Sequence, residues 1–297
     1  MLKLCKRFVS FPGAVNSKIT HELKALEHKS VIPTIQLLNS EGKFNTTKYH
    51  DIIKPVLKKD VLEKVYKQML TINIMDAILY DAQRQGRISF YMTSYGEEAA
   101  NCGSAFALTN EDVVYAQYRE QGVLLARGFT LEEFMNQCFS NAKDYGKGRQ
   151  MPVHYGSKKL NFHTISSPLG TQIPQAAGAA YALKLAKKQA VCIAYFGDGA
   201  ASEGDFHAAL NMASTRDCPA IFFCRNNGFA ISTSTKDQYR GDGIASRGLG
   251  YDIPTFRVDG NDFFSVYAVT KLAKEICLKE HRPVLIEAMT YRYLLLT

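Results

Sequence analysis

The sequence predicts an α/β domain, a mostly parallel sheet with helices on both faces. Two observations carry that expectation. Short, solidly apolar runs such as AVCIAYF (190–196) and AIFFCR (220–225) alternate with Ala-rich or periodic helical stretches. Strands that are apolar at every position, rather than every second one, are buried on both faces, as parallel strands under helices are. No repeat, low-complexity tract or linker breaks the alternation, so one domain behind an N-terminal arm is the simplest division.

Taken in order, VIPTIQLLNSEGKF reads as two short extended runs around the turn-forming Asn39-Ser40-Glu41-Gly42. Val61, Leu62, Val65, Met69, Ile72, Ile78 and Leu79 recur at helical spacing over 60–85, ending before Gly86. DVVYAQY (112–118) reads as a strand, followed by GVLLARG and a LEEFMNQCF helix. The Ala-rich helix 175–188 precedes strand 190–196, and a helix over 203–215 leads to strand 220–225. TFRVDG (255–260), a helix over 262–280 and PVLIEAMTYR (283–292) close the pattern. The division expected is a leader over 1–20, an arm over 21–59 and the α/β domain over 60–297.

At 297 residues and 46% apolar, the chain is long enough to bury a substantial core. No uncharged apolar run reaches the roughly 18–20 residues that cross a bilayer, so no membrane role is expected. The seven cysteines form no C-x-x-C pair, and several sit in strand-like runs where a thiol is a small hydrophobe. That argues against a zinc cluster or disulfide framework and for a reducing compartment.

The net charge of +8 is uneven: residues 1–70 carry +7 and the rest +1. A nucleic-acid groove needs basic residues concentrated on the folded body, and this body is nearly neutral, so no nucleic-acid partner is expected. The excess sits partly in MLKLCKRFVSFPGAVNSKIT, which has four Lys/Arg among apolar residues and no acid before Glu22. That is the pattern of a mitochondrial presequence, and Lys6-Arg7 interrupts any secretory apolar stretch. A disordered tail would look similar. The location expected is the mitochondrial matrix.

In an open parallel sheet, ligands bind beyond the carboxyl ends of strands. Two such ends are chemically loaded: Gly197-Asp198-Gly199 after AVCIAYF, and Asn226-Asn227-Gly228 after AIFFCR. The stretch between them holds one crossover helix, which puts both clusters at one edge on neighbouring strands. Asp198 offers an anionic oxygen, Asn227 an amide oxygen and Phe229 a backbone carbonyl, all suited to Mg²⁺ with phosphate oxygens completing its shell. Gly197 and Gly199 admit backbone close to a phosphate, and the helix after Ser202-Glu203-Gly204-Asp205 turns free N–H groups toward it. Arg119 and Arg225 are candidate forked donors to a diphosphate. Either cluster alone is an ordinary turn; together, one helix apart, they point to magnesium diphosphate.

The strings RQGRISFYMTSYGEEAA, QYREQGVLLARG, GKGRQMPVHYG, TISSPLGTQIPQAAGAAYA, GDGAASEGDFHAALN, FFCRNNGFAIST, QYRGDGIASRGLGY and IEAMTYR resemble the alpha subunits of branched-chain 2-oxoacid dehydrogenases. The resemblance covers roughly residues 28–292. TISSPLGTQ sets these apart from pyruvate dehydrogenase alpha subunits, the alternative within the class. It implies a thiamin diphosphate-binding fold, with Tyr118, Arg119, Ser167, Leu169, Gly199, Ala200 and Arg225 contacting the cofactor. It also implies magnesium on Asp198, Asn227 and the Phe229 main-chain oxygen; relatives carry Tyr at that last position. Ser166, Pro168, Thr171 and Gln172 match a loop that holds a potassium ion in the family. The implied activity is oxidative decarboxylation of branched-chain 2-oxo acids, with the acyl group passing to a lipoyl-bearing acyltransferase core. The implied partner is a beta subunit in an α2β2 heterotetramer, which supplies the carboxylate acting on the cofactor's ring.

Other residues carry plainer readings. His207 reads as a packing or hydrogen-bonded histidine, His163 and His281 as surface, and His154 as either near the site or merely packed. SFYMTSY reads as core, with a substrate pocket as the alternative. After Tyr291-Arg292, the family continues with a histidine-bearing, phosphorylated loop, whereas this sequence reads YLLLT. The expectation is a shortened chain that holds the cofactor-binding part but does not turn over, with a non-catalytic cofactor- or partner-binding subunit as the second reading.

Overall fold

The computed structural model describes residues 20–25 and 31–292. The presequence expected over 1–20, save Thr20, and the closing YLLLT lie outside the described residues. Two compact units divide between Val31 and Ile32, and the second holds every element named below.

In chain order these are β1 (Thr34–Ile35), α1 (His50–Ile53), α2 (Lys59–Arg84), α3 (Glu98–Ala107), β2 (Val113–Tyr115), α4 (Gln121–Ala126) and α5 (Leu131–Cys138). Then follow α6 (Gln172–Leu185), β3 (Cys192–Gly197), α7 (Gly204–Thr215), β4 (Ala220–Asn226), a small hairpin of β5 (Phe229–Ala230) and β6 (Thr233–Ser234), and α8 (Thr235–Gln238). The last are α9 (Ala245–Leu249), β7 (Thr255–Asp259), α10 (Phe263–Glu280) and β8 (Val284–Met289).

Six strands form one sheet in the order β1-β7-β8-β4-β3-β2, and every pair in it is parallel. The solidly apolar strands lie at its centre, and all seven residues of β4 are buried. Alternate side chains enter two separate core layers, because successive residues of a strand face opposite sides. Ile193, Tyr195, Ile221, Phe223 and Ile286 pack with α2, α3, α5 and α10 on one face. Ala194, Phe196, Phe222, Cys224 and Leu285 pack with α6 and α7 on the other. A buried Leu, Ile or Phe side chain contributes about 1.5–3 kcal/mol through this burial. The cysteines described, from Cys102 to Cys277, are free and buried.

Three elements differ from the sequence reading. The strand expected over 112–118 stops at Tyr115, because Gln117 turns its side chain toward β3 instead of continuing the ladder. Helix α3 is not among the elements read from the sequence; its residues 100–105 are all buried, so it shows no polar stripe over that run. Its Gly103 lies where a Cβ would come within 2.9 Å of Val266 on α10, so small residues rather than a polar face define it. The run before the Asn39–Gly42 turn supplies edge strand β1, while the run after it makes only a bridge, Leu38 to Phe44. The sheet order puts the ends of β3 and β4 side by side, Gly197 opposite Arg225.

Candidate functional site at the carboxyl edge of the sheet

A cavity of about 510 Å³ opens at the carboxyl ends of β3 and β4. Strands β2, β3 and β4 each end at its wall, so the loops after them deliver Tyr118 and Arg119, Asp198 to Ala200, and Asn227 to Phe229. The segment before α6 adds Ser166, Ser167 and Leu169. Thus every residue expected to contact a cofactor or magnesium lines one space, together with Ser166 of the potassium set. Pro168, Thr171 and Gln172 lie just behind: the Thr171 hydroxyl donates to the Pro168 carbonyl at 3.1 Å. Gln172 Nε2 donates to the Tyr195 carbonyl at 3.1 Å, which turns its amide oxygen away from β3.

Arg225 is the electrostatic centre. It ends an apolar strand with 1% of its surface exposed, and a buried charge must be paired. Nη1 donates to Glu97, Nε lies 2.7 Å from Glu120 Oε1, and the buried Nη2 has no partner among the described residues. Burial pushes the guanidinium pKa down, but Glu120 and Glu97 more than reverse that and hold it above its ordinary value. This corrects the simple picture of two open forks. Arg225 keeps one unpartnered nitrogen, and Arg119 donates Nη1 to the Thr93 carbonyl.

The carboxylates do further work. Glu120 Oε2 accepts from the backbone N–H groups of Gln117 and Tyr118 at 3.0 and 2.8 Å, fixing the loop that carries Tyr118 and Arg119. Glu97 Oε1 accepts from Asn227 Nδ2 at 2.7 Å. Asp198 is 1% exposed; burial raises its carboxyl to about 6, the Glu97 charge adds to the rise, and Arg225 opposes it. Gln238 Nε2 donates to its Oδ2 at 3.2 Å.

His154 resolves into a wall residue. Its Nδ1 lies 3.0 Å from the Pro152 carbonyl, which can only accept, so the proton sits there. Nε2 is left to accept the Ser167 hydroxyl at 2.7 Å. His207 is exposed on α7, with Nδ1 3.1 Å from the Tyr251 hydroxyl, while His163 is exposed and stacks on Tyr115. SFYMTSY serves both readings: Tyr91 and Ser94 are buried, whereas Phe90 and Met92 line the cavity.

Glu97, Glu120 and Gln117 escaped the sequence reading. The available signal was Arg225 itself, since an arginine closing an apolar strand demands carboxylates from elsewhere in the chain.

The residues present fit a magnesium diphosphate. A buried carboxylate, an amide oxygen and a backbone carbonyl are hard oxygen donors, and Arg225, whose Nη2 makes no hydrogen bond to the described residues, brings a cation to the same wall. Among the described residues no cluster of three or more His, Cys, Asp or Glu suited to a metal occurs, so a metal here relies on amide, carbonyl and ligand oxygens.

Comparison with known proteins adds to this geometry. A family model described as the dehydrogenase E1 component matches residues 66–294. The mitochondrial 2-oxoisovalerate dehydrogenase subunit alpha of Dictyostelium discoideum is 56% identical over 278 residues, 93% of this chain and 62% of that protein. Its Homo sapiens counterpart is 56% identical over 284 residues, 95% of this chain and 63% of that protein. The Caenorhabditis elegans counterpart is 64% identical over 230 residues, 77% of this chain and 53% of that protein. The chain spans less than two thirds of the length of these curated relatives.

Proposed function

Because the chain belongs to the dehydrogenase E1 component family, we propose that it is the cofactor-anchoring alpha subunit of a branched-chain 2-oxoacid dehydrogenase. The observation that carries this reading is the cavity wall itself, which Asp198, Asn227, Phe229 and Arg225 line together. Identity of 56% to subunits named for 2-oxoisovalerate supports the substrate class.

In this reading Asp198, Asn227 and the Phe229 main-chain oxygen hold magnesium. Tyr118, Arg119, Ser167, Leu169, Gly199, Ala200 and Arg225 hold thiamin diphosphate. Ser166, Pro168, Thr171 and Gln172 hold potassium, which steadies the loop carrying Ser167 and Leu169. When bound, thiamin diphosphate supplies the carbon nucleophile and electron sink that decarboxylation of a 2-oxo acid needs. The chain contributes binding and orientation: Arg225 donates to the anion, Glu120 holds the loop of Tyr118 and Arg119, and His154 takes the Ser167 hydroxyl proton into a hydrogen bond. Phe90 and Met92 give the cavity an apolar side suited to a branched alkyl group.

A beta subunit completes the reading, in an α2β2 heterotetramer that hands the acyl group to a lipoyl-bearing acyltransferase core in the mitochondrial matrix. The names of the relatives place those proteins in mitochondria. No helix among the described residues is long and apolar enough to cross a membrane.

The test is co-expression with a beta subunit, followed by calorimetric titration of thiamin diphosphate with and without Mg²⁺ and a decarboxylation assay. Saturable binding that requires Mg²⁺ is expected. Any residual decarboxylation should favour 2-oxoisovalerate over pyruvate at least about tenfold, ~1.4 kcal/mol in barrier. No cofactor binding, or a preference for pyruvate, would overturn the proposal.

A further inference from the structure

Glu97 lies immediately before α3 and is 1% exposed, anchored where its backbone N–H donates to the Ser94 carbonyl at 2.9 Å. No part of the functional reading above uses it. Yet its carboxylate touches both halves of the site. One oxygen accepts from Arg225 Nη1, and the other accepts from Asn227 Nδ2 at 2.7 Å.

The second contact has a chemical consequence. An asparagine amide has two similar ends, and only its hydrogen-bond partners decide which way round it sits. A carboxylate paired with arginine can only accept, so Nδ2 must face Glu97. Oδ1 is thereby turned the other way, toward the backbone of Phe229, whose N–H donates to it at 3.2 Å. Phe229 and Asp198, the other expected metal ligands, line the same cavity as Asn227. Glu97 also accepts from Arg225 Nη1 and Glu120 forms an ion pair at Nε, while Nη2 has neither kind of partner among the described residues.

We propose that Glu97 is a positioning residue that orients the Asn227 amide oxygen toward the metal and the Arg225 guanidinium toward the diphosphate. It rests on the cofactor reading above, but it is a statement about this chain's own side chains. Glu97 touches neither ligand. Neutral glutamine in its place presents one acceptor and one donor, so it satisfies Asn227 or Arg225 but not both.

The full chain, with its beta subunit, is titrated with Mg²⁺ at fixed thiamin diphosphate, following heat or tyrosine fluorescence. Glu97→Gln is expected to raise the half-saturating Mg²⁺ concentration at least about tenfold. In an Asn227→Ala background the same change should add no more than about threefold, because the amide it orients is gone. Equal half-saturation in wild type and Glu97→Gln, or an undiminished effect in that background, overturns the proposal.

A ligand-free arm separates this proposal from the functional one. The Asn227 side-chain amide signals in a ¹⁵N spectrum, assigned by their loss in Asn227→Ala, should exchange slowly with water in the wild-type chain. They should exchange at least about tenfold faster in Glu97→Gln. Fast exchange in the wild type overturns the proposal even if Glu97→Gln does not fold. A wild-type protein that binds no thiamin diphosphate overturns the functional reading alone, and the exchange rates still decide the role of Glu97.

Discussion

The side-chain oxygen of Gln117 accepts the backbone N–H of Gly197 at 2.7 Å. The contact ties the loop after β2 to the last residue of β3, so two strand ends that meet the cavity move as one. Gln117→Ala is expected to leave that N–H unpaired and to cost about 1 kcal/mol of stability. Gln117→Glu keeps the acceptor and should cost less. Urea midpoints compare the two; an alanine variant as stable as wild type would count against the contact.

Asp198→Ala removes the one anionic oxygen in the expected metal set. Cofactor affinity measured by calorimetry in the assembled protein should fall at least about tenfold, roughly 1.4 kcal/mol. Asn227→Ala should behave alike, whereas His207→Ala, altering an exposed side chain on α7, should leave affinity intact. Unchanged affinity in Asp198→Ala would remove the metal assignment.

Stability should fall with rising pH through a group remote from this chemistry. Asp76 on α2 is buried and accepts from the Tyr91 hydroxyl at 2.6 Å and from Ser94 N–H and Oγ–H at 2.6 and 2.8 Å. Burial outweighs those bonds and raises its carboxyl from 3.8 to about 6. Between those values the folded chain keeps a proton that the unfolded chain releases. The contribution is therefore full below about pH 4 and lost as pH rises through 6, by about 3 kcal/mol. Asp76→Asn should gain on wild type by that amount between pH 4 and 7, read from urea unfolding; a constant difference would refute it.

Gly103 offers a packing test. Alanine normally favours a helix interior by about 1 kcal/mol over glycine. At Gly103 a Cβ would come within 2.9 Å of Val266 Cβ and 3.0 Å of the Phe263 carbonyl. Gly103→Ala is expected to separate α3 from α10 and destabilise by about 1–3 kcal/mol. A rise in melting temperature would show that the helices yield freely.

The strands and the two loaded strand ends were legible because each is written in contiguous residues: an apolar run, then GDG or NNG. Their adjacency followed from a single crossover helix. What stayed hidden joins residues far apart. Glu97 and Asn227 are 130 positions apart, and no local pattern distinguishes Glu97 from Glu98 beside it. Helix α3 escaped for a related reason: its short run of small residues, buried from 100 to 105, lacks the large apolar residues at helical spacing that mark α2. His154 needed the position of Ser167, supplied by the chain's own folding.

Both edges of the sheet are closed, with a consequence for how this chain can associate. On one side β2 is three residues long, and its Val114 already exchanges backbone bonds with the segment 161–163, at 2.8 and 2.9 Å. On the other, β1 is two residues long, and the N–H groups just beyond it, of Leu37 and Leu38, are taken by Asp262 and Ser265 side chains. Among the described residues, little of either rim is left as a ladder for another polypeptide to extend. Strand addition at these places would first have to break these bonds, which favours docking on the described helices and loops. A docking partner can then be gained or lost without disturbing the register that holds the carboxyl edge.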